Sequence, residues 1–129
     1  MSSLAIVIEI KGIVDQVCDK ITEAIKPIGF GILTRIDLDQ KFKEKLNETT
    51  QRCVILGACN PKLAFEAYQQ STDTALLVPC NIVVTDIGDG KVRVEAMRPS
   101  MRLNVLQDVA KSDSLMKAER DLETVIQGL

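Results

Sequence analysis

The segment Asn81-Ile-Val-Val-Thr-Asp-Ile-Gly-Asp-Gly-Lys-Val-Arg-Val-Glu-Ala-Met97 decides the fold class of this chain. In its second half three aliphatic residues alternate with Arg93 and Glu95, the pattern of a strand that buries one face only. A short Gly88-Asp-Gly90 connection between two such runs predicts a β-hairpin. The segment therefore predicts an antiparallel sheet with one solvent-facing side and one side that needs a covering layer.

The remaining chain supplies the other strands and the helices of that layer. Runs rich in β-branched residues predict strands at residues 4–11, 30–36 and 53–58. Apolar residues spaced by three and four predict helices at 14–28, 38–46, from 61 onward and from 113 onward, while residues 99–109 are ambiguous between a loop and a short helix. Asp37 or Asp39, Asn60 and Ser112 are the predicted N-caps.

These elements predict an α+β fold of two layers, with helices on one face of a mainly antiparallel sheet of about five strands. The 129 residues, 46% of them hydrophobic and 26% charged, indicate one globular domain spanning residues 1–129. The predicted core combines residues from both layers: Ile6, Ile8, Val17, Ile21, Ile32, Ile55, Leu56, Leu63, Val84, Val94, Leu122 and Val125.

Charge and composition exclude several classes of partner. A net charge of −2 gives no excess of cations for phosphates or anionic lipids, and only four residues are aromatic, so we expect no nucleic-acid partner. No run approaches the ~20 apolar residues of a membrane span, so we expect no membrane partner. The apolar run at residues 4–8 is too short and wrongly flanked for a signal peptide, and we expect a cytoplasmic protein.

The chain contains no histidine, which removes histidine-assisted nucleophiles and histidine metal ligands. In a reducing cytoplasm the four cysteines are expected to remain thiols. Their separations include no C-x-x-C pair, and Cys18 lies in an apolar helix stripe, so we expect no metal site and no cofactor. Cys18 and Cys53 are interpreted as packing residues.

The remaining cysteines define the candidate site, because each stands directly before an asparagine at the edge of an apolar run. The segments are Ile55-Leu-Gly-Ala-Cys-Asn-Pro61 and Leu77-Val-Pro-Cys-Asn-Ile82. Cys59 precedes a helix start, where unpaired N–H groups favour either a thiolate or the anionic group of a ligand. If the strand of Cys80 adjoins that of Cys59, the two thiols could face one another. Cys59, Asn60, Cys80 and Asn81 are therefore the candidate ligand-binding residues.

A purely structural role explains part of this pattern equally well. Asn60 has a sufficient role as an N-cap and Pro61 as the first residue of a helix, while cysteine is often buried for packing alone. Asn81 has no evident cap role and could bond a neighbouring loop or a ligand. The glycine pairs at 29–31 and 88–90 fit turns better than phosphate loops, and scattered carboxylates such as Asp86 fit caps and solvated faces.

The two Cys-Asn segments, together with Gly29-Phe-Gly-Ile-Leu-Thr34, resemble the domain-of-unknown-function family 302 in order and spacing. The resemblance runs from about residue 12 to the carboxyl terminus. It implies a compact α+β fold similar to the TATA-binding protein, with helices on a curved antiparallel sheet, and a homodimer; it implies no established activity. Arg35 stands where the family pattern leads us to expect an acidic residue, so no acid role is carried over.

Three functional hypotheses remain open at this point. The leading one is a small-ligand binding or sensing module with its pocket near the two Cys-Asn motifs, since polar pairs beside apolar walls are typical of ligand clefts. The second is a homodimeric interaction protein without catalysis. The third is a thiol-dependent redox enzyme with Cys59 as the reactive thiol and Cys80 as its resolving partner. No catalytic residue is assigned under the first two.

Overall fold

The computed structural model describes residues 4–106 and 112–129, which form five strands and four α-helices. The strands are β1 (Ala5–Lys11), β2 (Gly31–Asp37), β3 (Cys53–Cys59), β4 (Cys80–Gly88) and β5 (Lys91–Met97). The helices are α1 (Val14–Ala24), α2 (Leu38–Leu46), α3 (Pro61–Gln70) and α4 (Asp113–Gln127). Three 3-10 segments, Lys26–Ile28, Thr72–Leu77 and Pro99–Asn104, join these elements.

All strands belong to one sheet in the order β1-β5-β4-β3-β2, and every neighbouring pair is antiparallel. The hairpin predicted from the opening segment is the β4–β5 pair. Its turn holds Gly88 at φ 88°, Asp89 at φ 57° and Gly90 at φ 70°, a left-handed run that favours glycine. The two edges of the sheet are β1 and β2, so the hairpin lies inside the sheet rather than at its margin.

The helices α1 and α4 cover one face of the sheet, α1 against β3 and β4 and α4 against β1. This arrangement confirms the predicted α+β fold with helices on an antiparallel sheet. The core residues alternate along the strands and recur at helical spacing in both helices, as burial of one face requires. The most deeply buried members are Ile21, Ile25, Val54, Val84, Val94, Ala96 and Ile126.

Most of the predicted core is buried, but Ile55 is not. Val54 and Leu56 face the helical layer, and Ile55 between them necessarily faces the opposite side of the sheet, where it is only half-buried. Ile8, Ile32 and Val125 pack at the margin of the core with partial exposure. The prediction was wrong at Ile55 because a continuous apolar run does not indicate which alternate residues point inward.

Local capping signals account for several element boundaries. The side-chain oxygen Oδ1 of Asn60 accepts a hydrogen bond from the Leu63 N–H at 3.3 Å, and Ser112 Oγ accepts one from the Leu115 N–H at 3.0 Å. Both predicted N-caps are therefore confirmed. The first helix ends at Ala24 rather than at residue 28, because a 3-10 turn containing Pro27 takes over before Gly29 at φ 88°.

The ambiguous segment after β5 begins with the 3-10 turn Pro99–Asn104. Residues 107–109 of the predicted short helix lie outside the described residues. The Ser100 N–H donates a 2.8 Å hydrogen bond to the carboxylate of Glu119, a largely buried residue of α4. This bond ties the turn to α4 and supplies the partner that a buried carboxylate requires.

Candidate functional site

The two Cys-Asn motifs meet at one end of the sheet, because β3 ends at Cys59 and its antiparallel neighbour β4 begins at Cys80. The strand adjacency that the sequence left open is therefore present. In the register of this pair Cys80 lies opposite Ala58, and Asn81 lies opposite Gly57. The two motifs are neighbours in space, although residues 61–79 separate them along the chain.

The register nevertheless directs the two thiols to opposite faces of the sheet. Residues that lie opposite one another share a face, so Cys80 shares the helical side with Ala58. Cys59 follows Ala58 and, by strand alternation, points to the other side. Both cysteines are buried. The strands are neighbours, but the thiols of Cys59 and Cys80 do not face one another, and this register does not favour a pair in which one thiol reacts and the other resolves.

Asn81 lies on the outer face of the sheet, the face away from α1 and α4, and its side chain is exposed. Within the described residues its amide makes no hydrogen bond to the protein, and its exposure leaves it open to hydration. Its cross-strand neighbour Gly57 is covered from the outer side: a Cβ at residue 57 would collide with Thr34 Oγ1 and lie 2.6 Å from the Pro79 ring. The outer face is therefore closed by Thr34 and Pro79 beside Asn81.

Of the four predicted site residues, Asn60 lines an open cleft. This open cleft, of about 710 Å³, lies where the 3-10 turn before β2, the start of α3 and the side of α4 meet. Asn60 Oδ1 is engaged by the Leu63 N–H, while its Nδ2 lies 3.2 Å from where a Cβ on Gly29 would stand. The other lining residues are Pro27, Ile28, Gly29, Pro61, Lys62, Lys117 and Asp121.

Two lysines in this cleft were not among the sequence-predicted site residues. The ammonium of Lys117 forms a 2.8 Å ion pair with Asp121, one turn further along α4. No ion pair is recorded for Lys62 in the part of the chain that the structure describes. Helical spacing could have paired Lys117 with Asp121, but nothing local in the sequence places α4 beside the start of α3.

The cysteines differ in environment, and only Cys53 has appreciable access to solvent. Burial raises the pKa of the Cys18 thiol to about 11, because the thiolate would lose its hydration inside the core. Cys53 Sγ accepts a 3.6 Å hydrogen bond from Thr85 Oγ1 on the outer face. The burial of Cys18 agrees with its predicted packing role, whereas Cys53 is partly accessible to solvent.

Thiol labelling of the native protein is expected to modify Cys53 first. At neutral pH Cys18 stays protonated and buried, and burial also shields Cys59 and Cys80, so these three should react only when the protein opens. Peptide mapping by mass spectrometry after a short treatment with iodoacetamide measures the order. Modification of Cys59 ahead of Cys53 would contradict the burial order and would revive a reactive-thiol role for Cys59.

A charged network that sequence reasoning missed lies at the opposite end of β3. Arg52 donates to Asp15 and Asp37 at 2.8 Å each and to Asp39 at 3.0 Å. Arg35 binds Asp15 at 2.7 Å and Asp37 at 2.8 Å. Asp37 stands at the N-cap position of α2, as one of the two predicted alternatives, but its carboxylate binds the arginines and makes no cap hydrogen bond. The network connects α1, β2, α2 and the start of β3.

The guanidinium groups hold the network's carboxylates in their charged form. Hydrogen bonds from Arg35 and Arg52 lower the pKa of Asp37 to about 2, and the same two partners lower the pKa of Asp15. Asp39 also accepts the Cys53 N–H at 3.1 Å, which fixes the start of α2 against β3. The network explains Arg35 as a structural ion-pair residue rather than a reactive group.

Residues 4–106 and 112–129 contain neither a metal-binding cluster nor a membrane-spanning helix. No group of three or more Cys, Asp or Glu side chains is arranged there to hold a metal ion. None of the described helices has the length and apolar character needed to cross a bilayer.

Comparisons with known proteins give a family and a fold. A crystal structure of an uncharacterized conserved protein DUF302 from Bacillus stearothermophilus is similar to this chain, with a TM-score of 0.76 and 20% sequence identity. The similarity covers 98% of this chain and 95% of that one, and at this identity it concerns the fold. No functionally curated protein matches the chain. The family model for the domain of unknown function DUF302 matches residues 6–129, and the chain therefore belongs to the DUF302 family.

Proposed function

We propose that this protein is a small-ligand binding module and that its ligand carries a small anionic group, such as a carboxylate or phosphate. The observation that carries the proposal is the cleft beside Asn60, where three separate elements converge on a single predicted site residue. Cys59 and Cys80 support this end of the sheet from within and do not line the cleft.

The charges of the cleft favour an anion. Asp121 offsets Lys117, which leaves the ammonium of Lys62 as an uncompensated positive charge at the rim. Lys62 also lies in the first turn of α3, where the positive end of the helix dipole is directed at the cleft. Pro61 has no N–H, and the Leu63 N–H is satisfied by Asn60, so the Lys62 backbone N–H is the donor available in this turn.

A thermal-shift series with inorganic phosphate, sulfate and small dicarboxylates tests the proposal. Occupancy at one hundred times Kd stabilises a protein by about 2.7 kcal/mol, which is readily detected. We expect Lys62→Gln to reduce the shift and Lys91→Gln, on the hairpin outside the cleft, to leave it unchanged. Asn81→Ala should also leave the shift unchanged, because Asn81 faces the outer side of the sheet.

The absence of a shift with every anion would refute the cleft as an anion site. A shift that Asn81→Ala abolishes would instead move the site to the outer face. Asn60→Asp is a useful companion variant, because aspartate caps a helix as well as asparagine but adds a negative charge to the cleft. It should retain stability and weaken anion binding.

Homodimerisation is a second proposal, and the exposed edge strand β2 favours it. Leu33 is 61% exposed and Ile36 is 43% exposed on this edge, and α2 adds Phe42 and Leu46 as further exposed apolar residues. An unpaired apolar edge is a template for pairing with a second strand. Native mass spectrometry should detect a dimer that Ile36→Lys disrupts, whereas a wild-type monomer at micromolar concentration would remove this proposal.

A further inference from the structure

A second concave site lies on residues 61–79, the segment that links the two Cys-Asn motifs. It is a shallow groove of about 260 Å³ between α3 and the 3-10 segment Thr72–Leu77. Its lining residues are Ala64, Phe65, Tyr68, Thr74, Ala75 and Val78. The volume is below the ~300 Å³ at which pockets for drug-sized ligands begin, so an occupant would be a small molecule.

The groove contains a buried hydroxyl group, that of Thr74, which packing does not explain. Thr74 is 3% exposed, and its hydroxyl oxygen is the one fully buried side-chain oxygen or nitrogen, among the described residues, that lacks a hydrogen-bond partner. A buried hydroxyl without a partner destabilises the folded protein, and valine would fill the same volume without that cost. The hydroxyl therefore calls for a role other than stability.

The rim of the groove carries the second unusual feature. Phe65 is 62% exposed and Tyr68 is 47% exposed, and these are two of the four aromatic residues in the chain. They lie three residues apart on α3, so they share one face of the helix. Exposed aromatic side chains beside small Ala64 and Ala75 provide a flat apolar surface suited to a ring or short alkyl group.

We propose that this groove binds a small apolar molecule bearing one hydroxyl or carbonyl group, and that Thr74 supplies the hydrogen bond to that group. The hydroxyl of Thr74 is covered in the unliganded protein, so the ligand reaches it only when the side chains that line the groove move apart. A threonine hydroxyl both donates and accepts, which suits either polar group. The site is separate from the Asn60 cleft and does not depend on the anion proposal.

The chain itself provides a reporter for this groove. Tyr68 is the single tyrosine and the chain has no tryptophan. The tyrosine fluorescence of the native protein therefore comes from one residue at the groove's rim. The probes are 2-naphthol and 2-methylnaphthalene, which have nearly the same shape and differ in the hydroxyl group. Titration of each probe against Tyr68 emission gives the two dissociation constants.

We expect wild-type protein to bind 2-naphthol about tenfold more tightly than 2-methylnaphthalene, as one satisfied hydrogen bond predicts. Thr74→Val should equalise the two affinities and raise Tm by about 4 °C, because the unpaired hydroxyl is gone. Thr74→Ser should keep the preference for the hydroxyl, and Thr74→Ala should lose it. Thr72→Val, an exposed threonine of the same segment, is the matched control and should change neither quantity.

Three outcomes would overturn the proposal. Tyr68 emission that does not change with either probe would remove the groove as a binding site. A preference for 2-naphthol that survives in both Thr74→Val and Thr74→Ala would remove Thr74 as its cause. Equal affinities of the wild-type protein for the two probes would show that the hydroxyl makes no bond to the ligand.

Discussion

Gly57→Ala is expected to lower the free energy of unfolding by about 2 to 3 kcal/mol, the upper range for overpacking a closed site. The new methyl group would collide with Thr34 Oγ1 on β2 and lie 2.6 Å from Cγ of Pro79. Threonine can rotate to relieve part of the overlap, but the proline ring is rigid. The strain would fall where β3 lies between β2 and β4, beside both Cys-Asn motifs.

Gly31→Ala is the matched control, because it adds the same methyl group to a strand of the same sheet. A Cβ at residue 31 meets nothing within 4 Å, so this variant should be neutral or slightly stabilising. Thr34→Ala in the Gly57→Ala background should restore part of the lost stability and leave the contact with Pro79. Urea denaturation of the four proteins measures these differences, and equal stability of the two glycine variants would refute the argument.

Strong local signals in the sequence predicted most of the elements. The Gly88-Asp-Gly90 turn needs left-handed residues, and Asn60-Pro61 fits the start of a helix by side-chain and backbone chemistry alone. Each of these signals depends only on residues that are neighbours in the sequence and not on tertiary contacts. The strands and helices were therefore predictable to within a few residues, with the first helix as the largest boundary error.

Strand order and register were not predictable, and the candidate site depends on them. Cys59 and Cys80 lie on adjacent strands, but a shift of one residue in register decides whether they share a face. The same ambiguity placed Ile55 in the predicted core. Both errors have one cause: a run without polar residues carries no period-2 signal to show which side points inward.

The cleft, the groove and the charged network could not be predicted from local sequence patterns. The cleft and the network join residues from distant parts of the chain, and the groove depends on how α3 packs on the 3-10 segment. Lys62 and Lys117 line the same cleft only because the start of α3 and the side of α4 border it from different directions. Thr74 has an ordinary sequence context, and only its burial makes the hydroxyl unusual. Through Asn60 the sequence pointed to the end of the sheet where the cleft lies, but it could not specify which groups there are accessible.

Arg52→Met is the second substitution from which we expect a large loss of stability. The pH dependence of that loss tests its cause. In the wild-type protein, hydrogen bonds from Arg35 and Arg52 lower the pKa of Asp37 from the ordinary value near 4 to about 2. A carboxyl whose folded pKa is depressed contributes stability that is fully present above the unfolded pKa and is lost as pH falls through the folded one. Asp37 is partly buried, with 23% of its side chain exposed, and its contribution is on the order of 2 kcal/mol, lost between about pH 5 and pH 2.

Removing Arg52 should therefore destabilise the protein by about 2 kcal/mol at pH 7 and by much less near pH 2, where the carboxyls of its partners become protonated. Comparing urea denaturation of the two proteins across this range isolates the network, because other acidic residues titrate alike in both. Arg52→Lys is the conservative control, since a single ammonium cannot span Asp15, Asp37 and Asp39 as the guanidinium does. It should recover only part of the loss. Stability curves of Arg52→Met and wild type that run parallel from pH 7 to pH 2 would mean that Arg52 stabilises this corner by packing its alkyl chain and not by its charge.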